Sequence, residues 1–275
     1  MTTMKILEYG AIALIPLFLL FDLAMRRARI YTTPRHWRVR AFAVTLAIFA
    51  LSFAVAYLWG SLLGDAHLLE GAKLGTLGGA VVGLLVYELF HYWWHRAEHS
   101  VGFLWRWSHQ MHHSAESVDA FGAYYLHPID AVMFTTISSL VFFPLLGLTP
   151  MAGAIAALFL TFNAMFQHAN IKTPHWLGYI IQRPESHVVH HAREIHRHNY
   201  ADLPLWDMVF GTFHNPREVP REAGFYCGAS SRIGEMLVGR DVSTPPAHEP
   251  RRQLTPPTDR QSASALPISR VITGA

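Results

Sequence analysis

Residues Glu185–Tyr200 read ESHVVHHAREIHRHNY, five histidines in sixteen residues. The first three, His187, His190 and His191, stand at i, i+3 and i+4, the spacing that places side chains on one stripe of an α-helix. The same triplet recurs in HQMHH (His109, His112, His113), and HRAEH sets His95 and His99 at i and i+4. Three boxes of helical period predict an all-α protein whose helices present imidazoles. Eight rings exceed what one ion can hold, since zinc takes four ligands and an octahedral metal six, so the count points to two metals. His168, in FQHAN, is the natural ninth ligand. A nitrogen-rich, carboxylate-poor set of this kind suits zinc, copper, iron or nickel.

The surrounding chain is apolar. Hydrophobic residues make up 51% of its 275 residues and charged residues 15%, too few for an ordinary soluble surface, which points to a bilayer. The single cysteine, Cys227, excludes an internal disulfide framework and a cysteine-ligated iron–sulfur cluster, so metal chemistry rests on the 18 histidines. The net charge is +3, and the basic residues form no motif with exposed aromatics, so no nucleic-acid partner is expected.

Working outward, Ile6–Met25, Ala41–Leu63 and Gly71 to about Phe90 each read as a spanning helix. The apolar stretch from Ile129 to about Gln167, broken at GLTP (Gly147–Pro150), reads as a helical hairpin of two further crossings. The arginines at 26, 27, 29, 35, 38 and 40 place the loop after the first helix in the cytoplasm by the positive-inside rule. Counting crossings then puts the histidine boxes on the cytoplasmic face. GTLGGAVVG, within the third span, has neither the spacing nor the preceding strand of a dinucleotide loop; its small residues predict close helix packing. The expected organisation is an N-terminal membrane segment over 1–70, a histidine-box catalytic domain over 71–215, and an extension over 216–275. From about Val242 that extension is rich in Pro, Ser, Thr and Arg and is expected to be largely disordered.

Metal-bound imidazoles usually donate their outward N–H to a carboxylate or carbonyl. Glu88, seven residues before His95, is a candidate acceptor. His91, His127, His196, His198, Asn199 and Asp207 are candidates for supporting the ligands from outside, with Asp119, Asp130 and Glu185 as further carboxylates. His36, His67, His175, His214 and His248 lack ligand-like spacing and read as surface or packing residues.

The boxes in this order resemble the fatty acid hydroxylase superfamily, which includes sterol desaturases, sterol C4-methyl oxidases and alkylglycerol monooxygenases. The resemblance runs from about Tyr87 to Phe213 and rests on YWWHRAEH, HQMHHS, LHPID, QHANI, ESHVVHHAR and NYADLPLWDMVFGTF, with Glu88 where aspartate is more usual. It implies a membrane-embedded non-haem diiron oxygenase with O2 as co-substrate. Two irons would be held by His95, His99, His109, His112, His113, His187, His190 and His191, with His168. Such an enzyme hydroxylates, or desaturates, an aliphatic C–H of a lipid or sterol-like substrate, and no catalytic residue beyond the metal centre is expected. No flavin, haem or nicotinamide motif is visible, so electrons are expected from a separate cytochrome b5, ferredoxin or reductase.

Two rival readings exist. HRAEH matches the H-x-x-E-H pattern of a zinc metalloprotease, with Glu98 as base beside His95 and His99, but leaves both triplets unused. A histidine-rich metal transporter would carry its transport site within the spans, whereas these boxes lie outside them. The arginine-rich basic set, with three lysines in all, and the lack of a terminal retention signal point to a bacterial inner membrane.

Overall fold

A computed structural model describes residues 3–24, 31, 33–220 and 222–246, with side chains from residue 13 onward. The arginines at 26, 27 and 29, His248 and most of the expected C-terminal tail therefore lie outside the described residues. Among the described residues the regular structure is all helical, apart from one isolated antiparallel bridge between Ala192 and Ala223. The α-helices are α1 (Thr3–Ala24), α2 (Trp37–Leu63), α3 (Gly75–Ser100), α4 (Gly102–Leu104), α5 (Gln110–His113), α6 (Pro128–Leu140), α7 (Pro150–His168), α8 (Pro184–His190), α9 (Pro204–Phe210) and α10 (Ile233–Leu237).

Four segments are long and apolar enough to cross a membrane: Trp37–Leu63, Gly71–Ser100, Pro128–Leu145 and Pro150–His168. The last two, of 18 and 19 residues, are the two arms of the expected hairpin; at about 1.5 Å per residue they run about 27 and 28 Å, close to the roughly 30 Å of a hydrocarbon layer. The third segment outruns its expected end near Phe90. It stays helical to Ser100, so the box carrying His95 and His99 forms the last two turns of the spanning helix itself. Leu46, Phe53, Tyr57, Leu58 and Leu62 of α2 are exposed. An apolar face of that kind suits lipid and is unstable in water, as an integral membrane protein requires.

α1 and α3 both pack on α7, and α2 packs on α6. The small residues of α3 allow the close approach: a Cβ added at Gly79 would lie 3.1 Å from Ala152 Cβ, and one at Gly83 2.7 Å from a Leu148 methyl. Proline occupies the first turn of α6, α7, α8 and α9, where its missing N–H costs no helical hydrogen bond. Thr149 Oγ1 caps α7 by accepting from Ala152 N, and His127 Nδ1 caps α6 by accepting from Ile129 N at 3.1 Å.

Beyond the spans, a cap of short helices is pinned to the bundle. The indole of Trp37, fully buried, donates to both carboxylate oxygens of Asp119, which also accepts from Ser117 Oγ and Gly122 N. The packed chain runs through Val242, whose side chain is buried and whose N–H donates to Gln110 Oε1. Ordered packing thus reaches the position where the tail was expected to begin.

Candidate metal centre

Nine imidazoles converge in two groups where the long helices meet the cap. His95, His99, His109, His113 and His190 form one group and His112, His168, His187 and His191 the other; within each group the candidate ligand atoms all lie within 4.8 Å of one another. His95 and His99 come from the end of α3 and His168 from the last residue of α7. His109 closes a π-helical turn, Trp105–His109, that runs directly into α5 with His112 and His113. α8 carries His187 and His190, and His191 follows at its C-cap. Each H-x-x-H-H triplet divides in the same way. Its i and i+4 members join one group and its i+3 member crosses to the other.

The nitrogen–nitrogen separations fit a shared ion. In the first group His95 Nε2 lies 2.9 Å from His109 Nε2 and 3.0 Å from His190 Nε2. In the second, His168 Nε2 lies 3.2 Å from His112 Nε2 and 3.1 Å from His187 Nε2, which is 3.0 Å from His191 Nε2. Two nitrogens about 2.1 Å from one ion, at right angles, stand about 3.0 Å apart.

Hydrogen bonds on the outward nitrogens decide what the inner ones carry. His95 Nδ1 faces the Tyr200 carbonyl at 2.7 Å, His190 Nδ1 the His198 carbonyl at 2.7 Å, and His168 Nδ1 the Ala164 carbonyl at 2.9 Å. A carbonyl only accepts, so each of these Nδ1 atoms holds the proton. His109 Nδ1 likewise donates to Asp130 Oδ2 at 2.9 Å. Burial first, and then the neighbouring imidazoles, hold His112, His113, His187, His190 and His191 well below the usual histidine range. A neutral ring protonated at Nδ1 presents a bare lone pair at Nε2. Several such lone pairs aimed at one point repel unless a cation lies between them, so the donor set fits a metal ion in each group.

The loop from Ala192 to Tyr200 supplies two of those carbonyls at a conformational cost. Glu194, His196, His198 and Asn199 all have positive φ, at 68°, 41°, 71° and 52°. Four non-glycine residues in the left-handed region cost on the order of 1 kcal/mol each, and the surrounding contacts must hold them there. Asp207 does so: its carboxylate accepts from Tyr200 N at 2.8 Å, Ala201 N at 2.9 Å and Thr212 Oγ1 at 2.7 Å. Asn199 adds bonds to Ser186 O, His214 O and His214 N.

The other candidates take varied places. His198 supports His190 through its backbone carbonyl, and its ring packs on His214. His196 Nδ1 lies 3.1 Å from His113 Nδ1, and burial pushes the His196 ring down to about 4. His91 stacks on His95 with ring centroids 5.6 Å apart, while His127 serves as the α6 cap. Glu88 reaches none of the nine rings. It lies about 10 Å along α3 from His95, and its Oε2 accepts from Asp202 N and Leu203 N. Glu98 stands behind His109, 3.6 Å from its Nδ1 and on the side away from the converging Nε2 atoms, so it has no place for a base beside a zinc-bound water. Glu185 anchors Thr173. His36, His67, His175 and His214 enter neither group.

Sequence reasoning does not single out Asp202, which joins Glu88 and His91 in a third buried cluster. Its only signal is one acidic residue between Asn199 and Asp207. The supporting carbonyls of Ala164, His198 and Tyr200 leave no trace in residue type. A cavity of about 290 Å³ opens beside the rings, walled by apolar side chains of α2, α6 and α7 and floored by His95, His109, His112, His168 and His187.

Residues 80–212 match the family described as fatty acid hydroxylase. The chain is 30% identical over 155 residues, 53% of its length, to a very-long-chain aldehyde decarbonylase of Oryza sativa subsp. indica, covering 58% of that protein. It is 26% identical over 48% of its length to a sphinganine C4-monooxygenase of Arabidopsis thaliana, and 26% identical over 63% of its length to an ornithine lipid hydroxylase of Rhizobium tropici. The match thus spans little more than half of those two relatives, 53% and 52%. No solved structure matches the chain.

Proposed function

We propose that this chain, which belongs through residues 80–212 to the fatty acid hydroxylase superfamily, is a membrane-bound non-haem diiron oxygenase that hydroxylates an aliphatic C–H of a lipid. The observation that carries the reading is the convergence of neutral imidazole nitrogens on two points beside one cavity. His95, His99, His109, His113 and His190 would hold one iron, and His112, His168, His187 and His191 the other. When bound, the two irons supply the O2 activation needed to oxidise an unactivated C–H bond.

The protein's own share is positioning and exclusion of water. The Tyr200, His198 and Ala164 carbonyls and the Asp130 carboxylate fix the tautomers of four rings, so that each offers its Nε2 inward. The apolar cavity wall accepts a lipid chain from the bilayer side and keeps the reacting carbon in a dry, low-dielectric site. Electrons come from a separate cytochrome b5, ferredoxin or reductase, since no redox cofactor motif lies in the sequence. The arginine-rich connection between α1 and α2 favours a cytoplasmic catalytic face, and the inner membrane of a bacterium is the proposed setting.

The deciding measurement is metal per chain, by elemental analysis of detergent-purified protein expressed in iron-rich medium, together with O2 uptake on addition of lipid and a reductase system. About two irons and lipid-dependent O2 uptake are the expected result. A single zinc favours the protease reading, and metal flux into vesicles without O2 uptake favours the transporter.

A further inference from the structure

The third buried cluster lies outside the two ring groups and has no part in the mechanism above. Glu88, His91 and Asp202 are 0%, 7% and 8% exposed, and their candidate ligand atoms lie within 4.8 Å of one another. His91 and Asp202 face the same cavity as His95, His112, His168 and His187. Asp202 Oδ1 accepts from Gln167 Nε2 at 2.8 Å, and Glu88 Oε2 accepts the two backbone N–H groups of Asp202 and Leu203. Glu88 Oε1 and His91 Nδ1, in contrast, have no hydrogen-bond partner among the described residues, and His91 Nδ1 is 3.7 Å from Glu88 Oε2, beyond hydrogen-bond length.

A buried acceptor without a partner costs roughly 1–3 kcal/mol, and a buried charge costs more. The cluster holds two carboxylates against one imidazole, and among the described residues no lysine or arginine pairs with either carboxylate. Its acceptors therefore outnumber its hydrogen-bond donors. It sits one helical turn from a candidate iron ligand, His91 stacking on His95 at 5.6 Å. A group bound there lies a few carbon–carbon bonds from a carbon held over the rings.

We propose that His91 and Asp202 in the cavity wall, with Glu88 buried beside them, form a polar subsite that takes a hydrogen-bond-donating group, a hydroxyl or an ammonium, carried by the lipid near the carbon to be oxidised. This inference rests on the oxygenase reading and narrows its substrate class. The donor group supplies the hydrogens that the carboxylates lack, and its distance from the rings selects which carbon reacts. A free carboxylate in the same place brings further acceptors and no donor, and is disfavoured.

The test is binding and turnover by the iron-loaded protein in nanodiscs of zwitterionic phospholipid, with hexadecylamine, hexadecanol and palmitate as probes. The amine and the alcohol are expected to bind about tenfold more tightly than palmitate. Asp202→Asn, which keeps the oxygen bonded to Gln167, and Glu88→Gln are each expected to shrink that preference severalfold while two irons are retained. An alcohol preference without an amine preference identifies a hydroxyl site, and the reverse an ammonium site; both support the subsite. Equal binding of the three probes, tightest binding of palmitate, or a preference unchanged in both variants overturns it. Absence of turnover with every probe, despite two irons, counts against the oxygenase reading, while the order of binding still decides the subsite.

Discussion

His113 and His191 lie stacked, ring centroids 4.2 Å apart and planes 17° from parallel, although they converge on different nitrogen groups. The two groups therefore share a wall of imidazoles rather than standing as separate sites. The wall follows from the triplets: His113 and His191 are the i+4 members, while the i+3 members, His112 and His190, cross to the opposite groups.

That crossing predicts how metal is lost on substitution. His168 serves the second group alone, and its removal leaves the five rings of the first intact. His168→Ala is expected to lower iron from about two per chain to about one and to abolish lipid oxidation, with membrane insertion unchanged. Elemental analysis of the purified variant checks it, and an undiminished iron content refutes the grouping.

Asp130 acts on His109 from outside. Its carboxylate, fully buried in α6, accepts the Nδ1 proton and strengthens the ring as a donor. Asp130→Asn keeps the shape and loses the charge, so iron affinity is expected to fall about 10–100-fold. Competition with a chelator measures this, and an affinity within twofold of the parent protein would show that the hydrogen bond alone suffices.

Asp207 holds the strained loop through three hydrogen bonds. In Asp207→Ala the buried N–H groups of Tyr200 and Ala201 lose their acceptor, and a loss of roughly 2–4 kcal/mol of stability is expected. The Tyr200 carbonyl then ceases to fix His95, so iron retention falls along with Tm. A variant with lowered Tm and full iron retention would confine Asp207 to a structural role.

Acid should destabilise the metal-free protein. His196 is held down to about 4 by burial, against an ordinary value near 6.5 in the unfolded chain. Between those values the unfolded state binds a proton that the folded state does not, so stability falls as pH drops from about 6.5 toward 4. His112, His113, His187, His190 and His191 shift in the same direction and add to the slope. Thermal melts of apoprotein at pH 7.5 and 5.5 are expected to show a lower Tm at the acid value, and His196→Gln should reduce the difference.

Four of the five expected spans and the meeting of the nine rings were legible because both depend on local periodicity; the first expected span, Ile6–Met25, is not among the four, only Ala13–Ala24 of it appearing as a shorter apolar helix among the described residues. An apolar run long enough to cross is visible wherever it occurs, and i, i+3, i+4 spacing survives any tertiary arrangement. The division into two groups was not legible, since it depends on a π turn at Trp105–His109 and on how α8 docks against α7. Glu88 shows the limit of a helical-wheel argument, which registers the face of a residue but not its height along the axis. Its partners, Asp202 and Leu203, arrive from more than a hundred residues away. Supporting carbonyls escape sequence reading altogether, because every residue has one.

The bond partners of His95 carry a consequence for biogenesis. Its Nε2 meets a nitrogen 14 residues on and another 95 residues on, and its Nδ1 meets a carbonyl 105 residues on. His95, His99, His109 and His113 lie within nineteen residues, so a short segment supplies four rings of the first group, whereas the second draws on residues from 112 to 191 and cannot assemble until α8 has docked on α7. Filling of the second group would then be a late event of maturation: a half-made chain lacks that cage, and metal supply would act there on finished molecules.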